Sequence, residues 1–186
     1  IRAVKEYNRR QQSNKQQNKK PAILRIAGKH YSGNKDLYWE QKISPFIDGK
    51  EVRYVGFIKD EGEKYNFLAN AKALLAPSIW NEPFGMMTIE AMSVGTSTIG
   101  LNNGALPEVI ENHKNGYIVK TKYKSNTLET SSNLIDEEAT INNIISAMGK
   151  IDTLDRSICK EIFYKKWTTE RMCKDYEKVY KKIIGY

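Results

Sequence analysis

The chain has 186 residues, of which 40% are hydrophobic and 28% charged, and its formal net charge is +8. This length fits one domain with a sizeable core. No stretch approaches the roughly 20 consecutive apolar residues that a membrane span needs. The two cysteines, Cys159 and Cys173, show neither metal-binding nor redox spacing. Free cysteines of this kind favour a reducing compartment, so we expect a cytoplasmic protein.

The basic excess lies at the two ends of the chain. Residues 1–20 carry +6 and residues 156–182 carry +5, which leaves −3 for the remainder. Such ends could contact nucleic acid or an anionic membrane surface. They lack the glycine and aromatic interleaving of an RNA-binding module, so solvated helix faces and a loose tail are the preferred interpretation. Contact with the inner face of a membrane stays open as an expectation for the full-length protein.

Helices and strands alternate along the chain. Short apolar runs that end at glycine or turn residues predict strands, and amphipathic runs between them predict helices. Strands separated by helices imply parallel βαβ units and an α/β fold with a doubly wound parallel sheet. The predicted strands are 22–27, 52–55, 73–77, 98–101 and 116–119. The predicted helices are 1–12, 36–47, 63–71, 86–94, 137–151, 155–166 and a last one capped by Thr168.

One segment does not fit the alternation. Residues 120–136 are rich in Ser, Thr, Asn and Lys and contain little apolar surface. This composition predicts a surface loop. The helices that follow it close the domain.

The nine residues from Glu82 to Glu90 are the most informative part of the sequence. A turn at Gly85 leads into a helix predicted over 86–94, which Gly95 closes. The first turn of such a helix offers unpaired backbone N–H groups and the positive end of its dipole, which together can hold a phosphate. Glu90 lies about one turn further in, and Glu82 lies before the turn. Both carboxylates can accept hydrogen bonds from hydroxyl groups, so the pattern fits a nucleotide-sugar.

A second motif strengthens this interpretation. The combined motif consists of Glu82, Glu90-Ala91-Met92 and then Gly104-Ala105-Leu106-Pro107-Glu108. It resembles the donor-binding motif of retaining glycosyltransferases of the GT-B fold. The resemblance is to family 4 in particular, also described as glycosyl transferases group 1. The resemblance extends from Pro21 to Tyr186. It implies a Rossmann-like C-terminal half of a GT-B fold, and a reaction that transfers a sugar from a nucleotide-diphosphate-sugar with retention of configuration.

The resemblance also implies roles for individual residues. Glu90 would hold the ribose hydroxyls, and Glu82, the predicted catalytic residue, would hold a hydroxyl of the transferred sugar. Ile58 would line the base through its backbone, and Asn103 and Gly104 would approach the sugar or phosphate. Because ligands of open parallel sheets bind beyond the carboxyl ends of the strands, these residues should cluster at one rim. The diphosphate would be held by the backbone of Phe84, Gly85, Met86 and Met87.

Each role has a structural alternative. Glu82 and Glu90 could be ordinary carboxylates favoured near a helix start by the dipole. Gly104 could be a plain turn glycine, and Glu108 could cap a following helix. His30 and His113 are expected at the surface rather than in catalysis. The side chains expected to fill the core, leaving only their backbone for the ligand, are Phe84, Met86 and Met87.

Three departures from the family pattern bear on activity. Relatives carry an Arg and a Lys for the diphosphate on a strand and loop that would precede Ile1, and Asn103 and Ser97 replace a frequent Gly and Pro. We therefore expect the chain, residues 1–186, to be one donor-binding domain from a longer enzyme. Its partners would be the donor and the N-terminal acceptor domain of the same protein, and the isolated domain should be inactive. No Asp-x-Asp motif is present, so no metal or other cofactor is expected.

Three other functions are alternatives to this one. A glycosidase would explain two carboxylates, but it would not explain the anion-binding turn between them. A nucleotide-sugar binding module without catalysis would keep the same motif. A basic nucleic-acid-binding domain is the third alternative, and salt-dependent binding would reveal it.

Overall fold

The computed structural model of the protein describes residues 1–13, 20–29, 36–121 and 136–185. Most of the loop predicted over 120–136 lies outside these residues, and so does His30. The described part is an α/β structure with five strands and seven α-helices. The strands are β1 (Leu24–Ala27), β2 (Val52–Gly56), β3 (Leu74–Ala76), β4 (Thr98–Leu101) and β5 (Gly116–Val119). The helices are α1 (Arg2–Ser13), α2 (Glu61–Ala69), α3 (Met86–Ser93), α4 (Leu106–Val109), α5 (Glu137–Lys150), α6 (Arg156–Lys166) and α7 (Thr169–Ile184).

All described strands pair in parallel, as the alternation of strands and helices predicted. β1 pairs with β2, and a register irregularity lies between Ile26 and Ala27. β4 lies between β3 and β5, with Ile99 opposite Leu75 on one side and Tyr117 on the other. Parallel strands need crossover connections, and the helices between them supply these. Their carboxyl ends therefore face the same side within each sheet, which is where ligands of such folds bind.

The core is densest around β4, whose four residues are all buried. A strand that is covered on both faces reads as a continuous apolar run, and Thr98–Leu101 does so with only one polar residue. On one side, Ile99 and Leu101 pack with Tyr117 and residues of α5. A second cluster joins α3 to α6 and lies under the predicted donor motif; it consists of Ile89, Met92, Val109, Cys159 and Ile162.

Side-chain caps fix the starts of four helices, α2, α5, α6 and α7. Each cap is an Asp or Thr in an extended conformation whose side chain accepts a hydrogen bond from a backbone N–H of the first turn. At the C-terminal end of α3, Gly95 has φ +82° and its N–H donates to the carbonyl of Met92, as predicted for a closing glycine. The four capping residues are Asp60 for α2, Asp136 for α5, Asp155 for α6 and Thr168 for α7.

Two segments differ most from the sequence-based expectation, whereas the other predicted elements begin and end within two residues of their predicted bounds. The helix predicted over 36–47 is irregular, with a π-helical turn at Trp39–Ile43 and a 3₁₀ turn at Ser44–Phe46. Pro45 cannot donate the backbone hydrogen bond that a continuing helix requires, which explains the break. The short helix α4 was not predicted, because four residues are too few to show helical periodicity.

α7 contrasts with the other long helices because none of its residues is buried. Its apolar side chains, among them Ile183, are 53–74% exposed. The exposed Cys173 lies in α7, whereas Cys159 of α6 is fully buried. Over the described residues, none of the helices combines the length and apolar character required to cross a bilayer.

Candidate donor-binding site

The predicted site is built around a tight turn that leads into α3. Gly85 has φ +84° and ψ +44°, a left-handed conformation that glycine adopts without steric cost. The carboxylate of Glu82 accepts a hydrogen bond from the Gly85 N–H through Oε1 at 3.2 Å. A side chain at position 85 would meet Leu106 at 3.1 Å. Glu82 therefore shapes the turn as well as standing beside it.

The first turn of α3 presents free donors. The Gly85 carbonyl accepts hydrogen bonds from Thr88 N and Ile89 N, at 2.9 and 3.4 Å. No acceptor in the described part of the chain takes a hydrogen bond from the N–H of Met86 or Met87. These amides lie at the positive end of the helix dipole, so the turn has the properties of an anion-binding site.

The side chains of this turn are exposed, which corrects one expectation. Phe84, Met86 and Met87 are 46%, 55% and 56% exposed, so they do not fill the core. The buried face of α3 is formed instead by Thr88, Ile89, Ala91 and Met92. The three exposed residues precede that face, at the rim. Phe84 makes an edge-to-face contact with Trp167 over 5.9 Å between ring centroids.

The loop after β4 is clamped against the turn. A Cβ atom added to Gly104 would lie 2.3 Å from both the N and the O of Glu82, and φ at Gly104 is +54°. Ala105 N donates to the Glu82 carbonyl at 2.7 Å. The side-chain amide of Asn103 donates to the backbone carbonyl of Trp80 at 2.9 Å. Asn103 and Gly104 thus hold the backbone around Glu82, and only glycine fits at position 104.

Glu90 has a partner that the sequence did not reveal. Lys64 of α2 donates to Glu90 Oε1 at 2.9 Å, and the side chains are 31% and 19% exposed respectively. The hydrogen bond with Glu90 raises the pKa of Lys64 above its usual range. The two residues are 26 positions apart, and no local spacing signals such a pair. Lys64 therefore joins the set of candidate site residues.

The structure brings most of the predicted residues into one region. Glu82 contacts both Gly85 and Gly104, Asn103 donates to the nearby carbonyl of Trp80, and Glu90 follows on α3. Ile58 lies half-buried in the segment between β2 and α2. The Lys64–Glu90 pair connects α2 to α3, so it joins the element after Ile58 to the donor motif. In the described ranges, no group of three or more His, Cys, Asp or Glu side chains has an arrangement suited to a metal ion.

Comparison with known families identifies the chain. Residues 3–150 match the family described as glycosyl transferases group 1. The chain belongs to this family. An uncharacterized glycosyltransferase of Methanocaldococcus jannaschii is 26% identical over 160 residues, which are 86% of this chain and 37% of that protein. The N-acetyl-alpha-D-glucosaminyl L-malate synthase of Bacillus anthracis is 26% identical over 103 residues, 55% of this chain and 24% of that enzyme.

Solved structures share the fold of this glycosyl transferases group 1 domain. HepE of Anabaena, in a structure with UDP, superposes with a TM-score of 0.62 at 21% identity, over 88% of this chain and 42% of HepE. The pneumococcal O-GlcNAc transferase GtfA, in complex with UDP and GlcNAc, gives 0.68 at 16% identity, over 98% of this chain and 32% of GtfA. These GT-B neighbours confirm the predicted Rossmann-like, doubly wound α/β fold. The chain spans well under half the length of these relatives.

Proposed function

We propose that this domain binds a nucleotide-diphosphate-sugar and, within a longer protein, transfers the sugar to an acceptor with retention of configuration. The observation that carries the proposal is the turn at Gly85. It presents the free amides of Met86 and Met87 between two carboxylates, Glu82 and Glu90, in a chain of the glycosyl transferases group 1 family. UDP complexes among its structural neighbours support a nucleotide partner.

The diphosphate would sit at the first turn of α3. When the bond between sugar and diphosphate breaks, negative charge develops on the leaving nucleoside diphosphate. The amides of Met86 and Met87 and the helix dipole are fixed in place before the reaction, so they stabilise this charge without reorganisation. The proposal requires no metal ion and no other cofactor.

The hydroxyl groups of the donor would be held at either end of the diphosphate. Glu90 accepts hydrogen bonds from the ribose hydroxyls, and Glu82 accepts one from a hydroxyl of the transferred sugar, which makes it the proposed catalytic residue. Ile58 lines the base through its backbone. Asn103 and Gly104 approach the sugar or the phosphate while they hold the backbone of Glu82.

The acceptor site would belong to an N-terminal domain of the same protein, as in family 4 enzymes. Under this proposal the isolated domain transfers no sugar and binds donor weakly. A cytoplasmic location with contact at the inner face of a membrane is part of the same proposal, motivated by the basic ends of the chain.

Binding by the domain tests the proposal. We would titrate UDP, GDP and ADP, with their sugar conjugates, against the wild type and Glu90→Ala by calorimetry. We expect one nucleotide to bind selectively and Glu90→Ala to lose most of the affinity for it. Glu161→Ala is the matched control, because Glu161 is an exposed carboxylate of α6 outside the motif. Equal binding by wild type and Glu90→Ala would contradict the donor site.

A binding module without catalysis is the alternative that keeps the same geometry. Glu82→Gln in the full-length protein separates the two functions. Loss of sugar transfer with donor binding retained supports catalysis, whereas absence of transfer by the wild type with every candidate acceptor supports the binding module.

A further inference from the structure

The pair formed by Lys64 and Glu90 links the first half of the domain to the donor motif. The Lys64 ammonium lies 2.9 Å from Glu90 Oε1 and 5.2 Å from the centroid of the Tyr65 ring. Both charged side chains are mostly screened from solvent, at 31% and 19% exposure. An ion pair at such a position is less weakened by water and salt than one on an open surface.

The pair leaves half of the carboxylate available. An ionised carboxylate offers two oxygens, each of which can accept more than one hydrogen bond. Lys64 occupies Oε1, whereas Oε2 accepts no hydrogen bond from any residue that the structure describes. The backbone of Glu90 is fixed separately, because its carbonyl accepts from Ser93 Oγ at 2.7 Å within α3. The side-chain torsions are therefore what Lys64 restrains.

We propose that Lys64 is a positioning residue that holds Glu90 with Oε2 ready to accept hydrogen bonds from the vicinal hydroxyls of the donor ribose. This inference rests on the proposed function, in which Glu90 binds the ribose. A long carboxylate side chain without a partner loses rotamer freedom when it engages a ligand, and this loss weakens binding. In the native pair that loss has already occurred before the nucleotide arrives.

The positioning role of Lys64 can be measured by comparing the affinities for nucleotides with and without the two ribose hydroxyls. We would titrate UDP, GDP and ADP, each beside its 2′,3′-dideoxy counterpart, against the 186-residue chain. The variants are Lys64→Met, Lys64→Arg, Glu90→Ala and the double variant Lys64→Met/Glu90→Ala. Lys72→Met is the control, because Lys72 pairs with Asp152 at 2.7 Å in an exposed ion pair. Circular dichroism melting verifies that every variant is folded.

We expect Lys64→Met to weaken binding of the ribonucleotide by about three- to tenfold, the scale of ordering a side chain, and to leave the dideoxynucleotide unchanged. Lys64→Arg should restore most of the affinity, since a guanidinium also donates to a carboxylate. Lys64→Met should have no further effect in the Glu90→Ala background, and Lys72→Met should behave as wild type.

The outcomes separate this inference from the proposed function. A diol preference that depends on Glu90 and not on Lys64 overturns the inference and leaves the donor site intact. Equal losses of affinity for the ribonucleotide and the dideoxynucleotide in Lys64→Met also overturn the inference, because they indicate a general effect on charge or folding. Tighter ribonucleotide binding by Lys64→Met likewise overturns the inference, because it means that Lys64 competes with the ribose for Glu90. No binding, or binding without diol preference in the wild type, overturns the donor site and this inference with it.

Discussion

The two parallel sheets of the domain are stabilised to different degrees. All four residues of β4 are buried and the strand is paired on both sides, whereas β1 alternates between half-buried and exposed residues. The proposed donor turn packs, through α3, α4 and α6, on the well-buried part of the domain, which contains β3, β4 and β5. Lys64 of α2, by contrast, reaches Glu90 from the less buried part, which contains β1 and β2. Packing thus holds the turn at Gly85 firmly, while the partner of Glu90 belongs to an element that is held by fewer buried residues.

The largest expected difference between the two parts comes from truncation of core side chains. Met92 is 2% exposed in the cluster between α3 and α6. We expect Met92→Ala to lower the free energy of unfolding by about 2–5 kcal/mol, because it removes buried methylene contacts and leaves a cavity. Ile26→Ala in β1, where the side chain is only half-buried, should cost about half as much or less. Equal losses in urea denaturation would break the distinction between the sheets.

Gly104 tests how tightly the loop after β4 grips the turn. Gly104→Ala would force a Cβ against the backbone of Glu82 in a left-handed conformation. We expect a loss of about 2–4 kcal/mol in the free energy of unfolding, from overpacking and backbone strain together, and loss of donor binding. Gly149→Ala is the control, since nothing lies within 4 Å of a Cβ there. It should be neutral or stabilising by up to about 1 kcal/mol.

Arg156 joins α6 to the end of α2, and so it connects the two parts. Its guanidinium donates to the carbonyls of Ala69 and Ala71 and to Thr96 Oγ1, at 2.7–2.8 Å. Arg156→Met should lower the free energy of unfolding by about 1–2 kcal/mol, because two carbonyls and a hydroxyl lose a charged donor. Arg53→Met removes a single hydrogen bond to a carbonyl three residues away and is the control. A loss no larger than that of the control would show that α6 does not anchor α2.

The smallest expected effect concerns acid stability of the less buried part. Asp48 accepts hydrogen bonds from Val52 N and Lys50 N and pairs with Lys5 of α1, and these contacts hold the pKa of its carboxyl well below the usual 3.8. Because the pKa is lowered on folding, the resulting stability is present above about pH 4 and is lost as the pH falls further.

Asp48→Asn should therefore flatten the decline of the thermal midpoint below pH 4, since the amide cannot titrate. Asp152→Asn, which removes only the exposed pair with Lys72, is the matched control. A decline as steep as that of the wild type would exclude Asp48 as a source of acid sensitivity.

The sequence predicted the strongly patterned elements well. The bounds of β4 and β5 agree with the prediction because each is a short apolar run between turn residues. The end of α3 was predicted because Gly95 is a specific signal. The prediction of a regular helix over 36–47 was less accurate, since hydrophobic periodicity alone does not show where Pro45 interrupts the backbone hydrogen bonds.

The candidate site was found through its motif, and its three-dimensional partners were not. Glu82 and Glu90 stand at a spacing that the sequence displays directly. The pairing of Glu90 with Lys64 depends on how α2 packs beside α3, which no local pattern encodes. The side chains of Phe84, Met86 and Met87 were predicted to be buried because they are apolar. Their exposure depends on their place at the rim before the buried face of α3 begins.

The two cysteines give this domain a built-in measure of its own opening. Cys173 on α7 is exposed and should react with a thiol reagent as fast as a free peptide. Cys159 is fully buried beneath α3, and burial raises the pKa of its thiol, so it can react only after α6 separates from that helix. The slow phase of labelling would then report the frequency of that separation in the native protein. Slower labelling when nucleotide is present would link occupancy of the donor turn to the motion of the helix behind it.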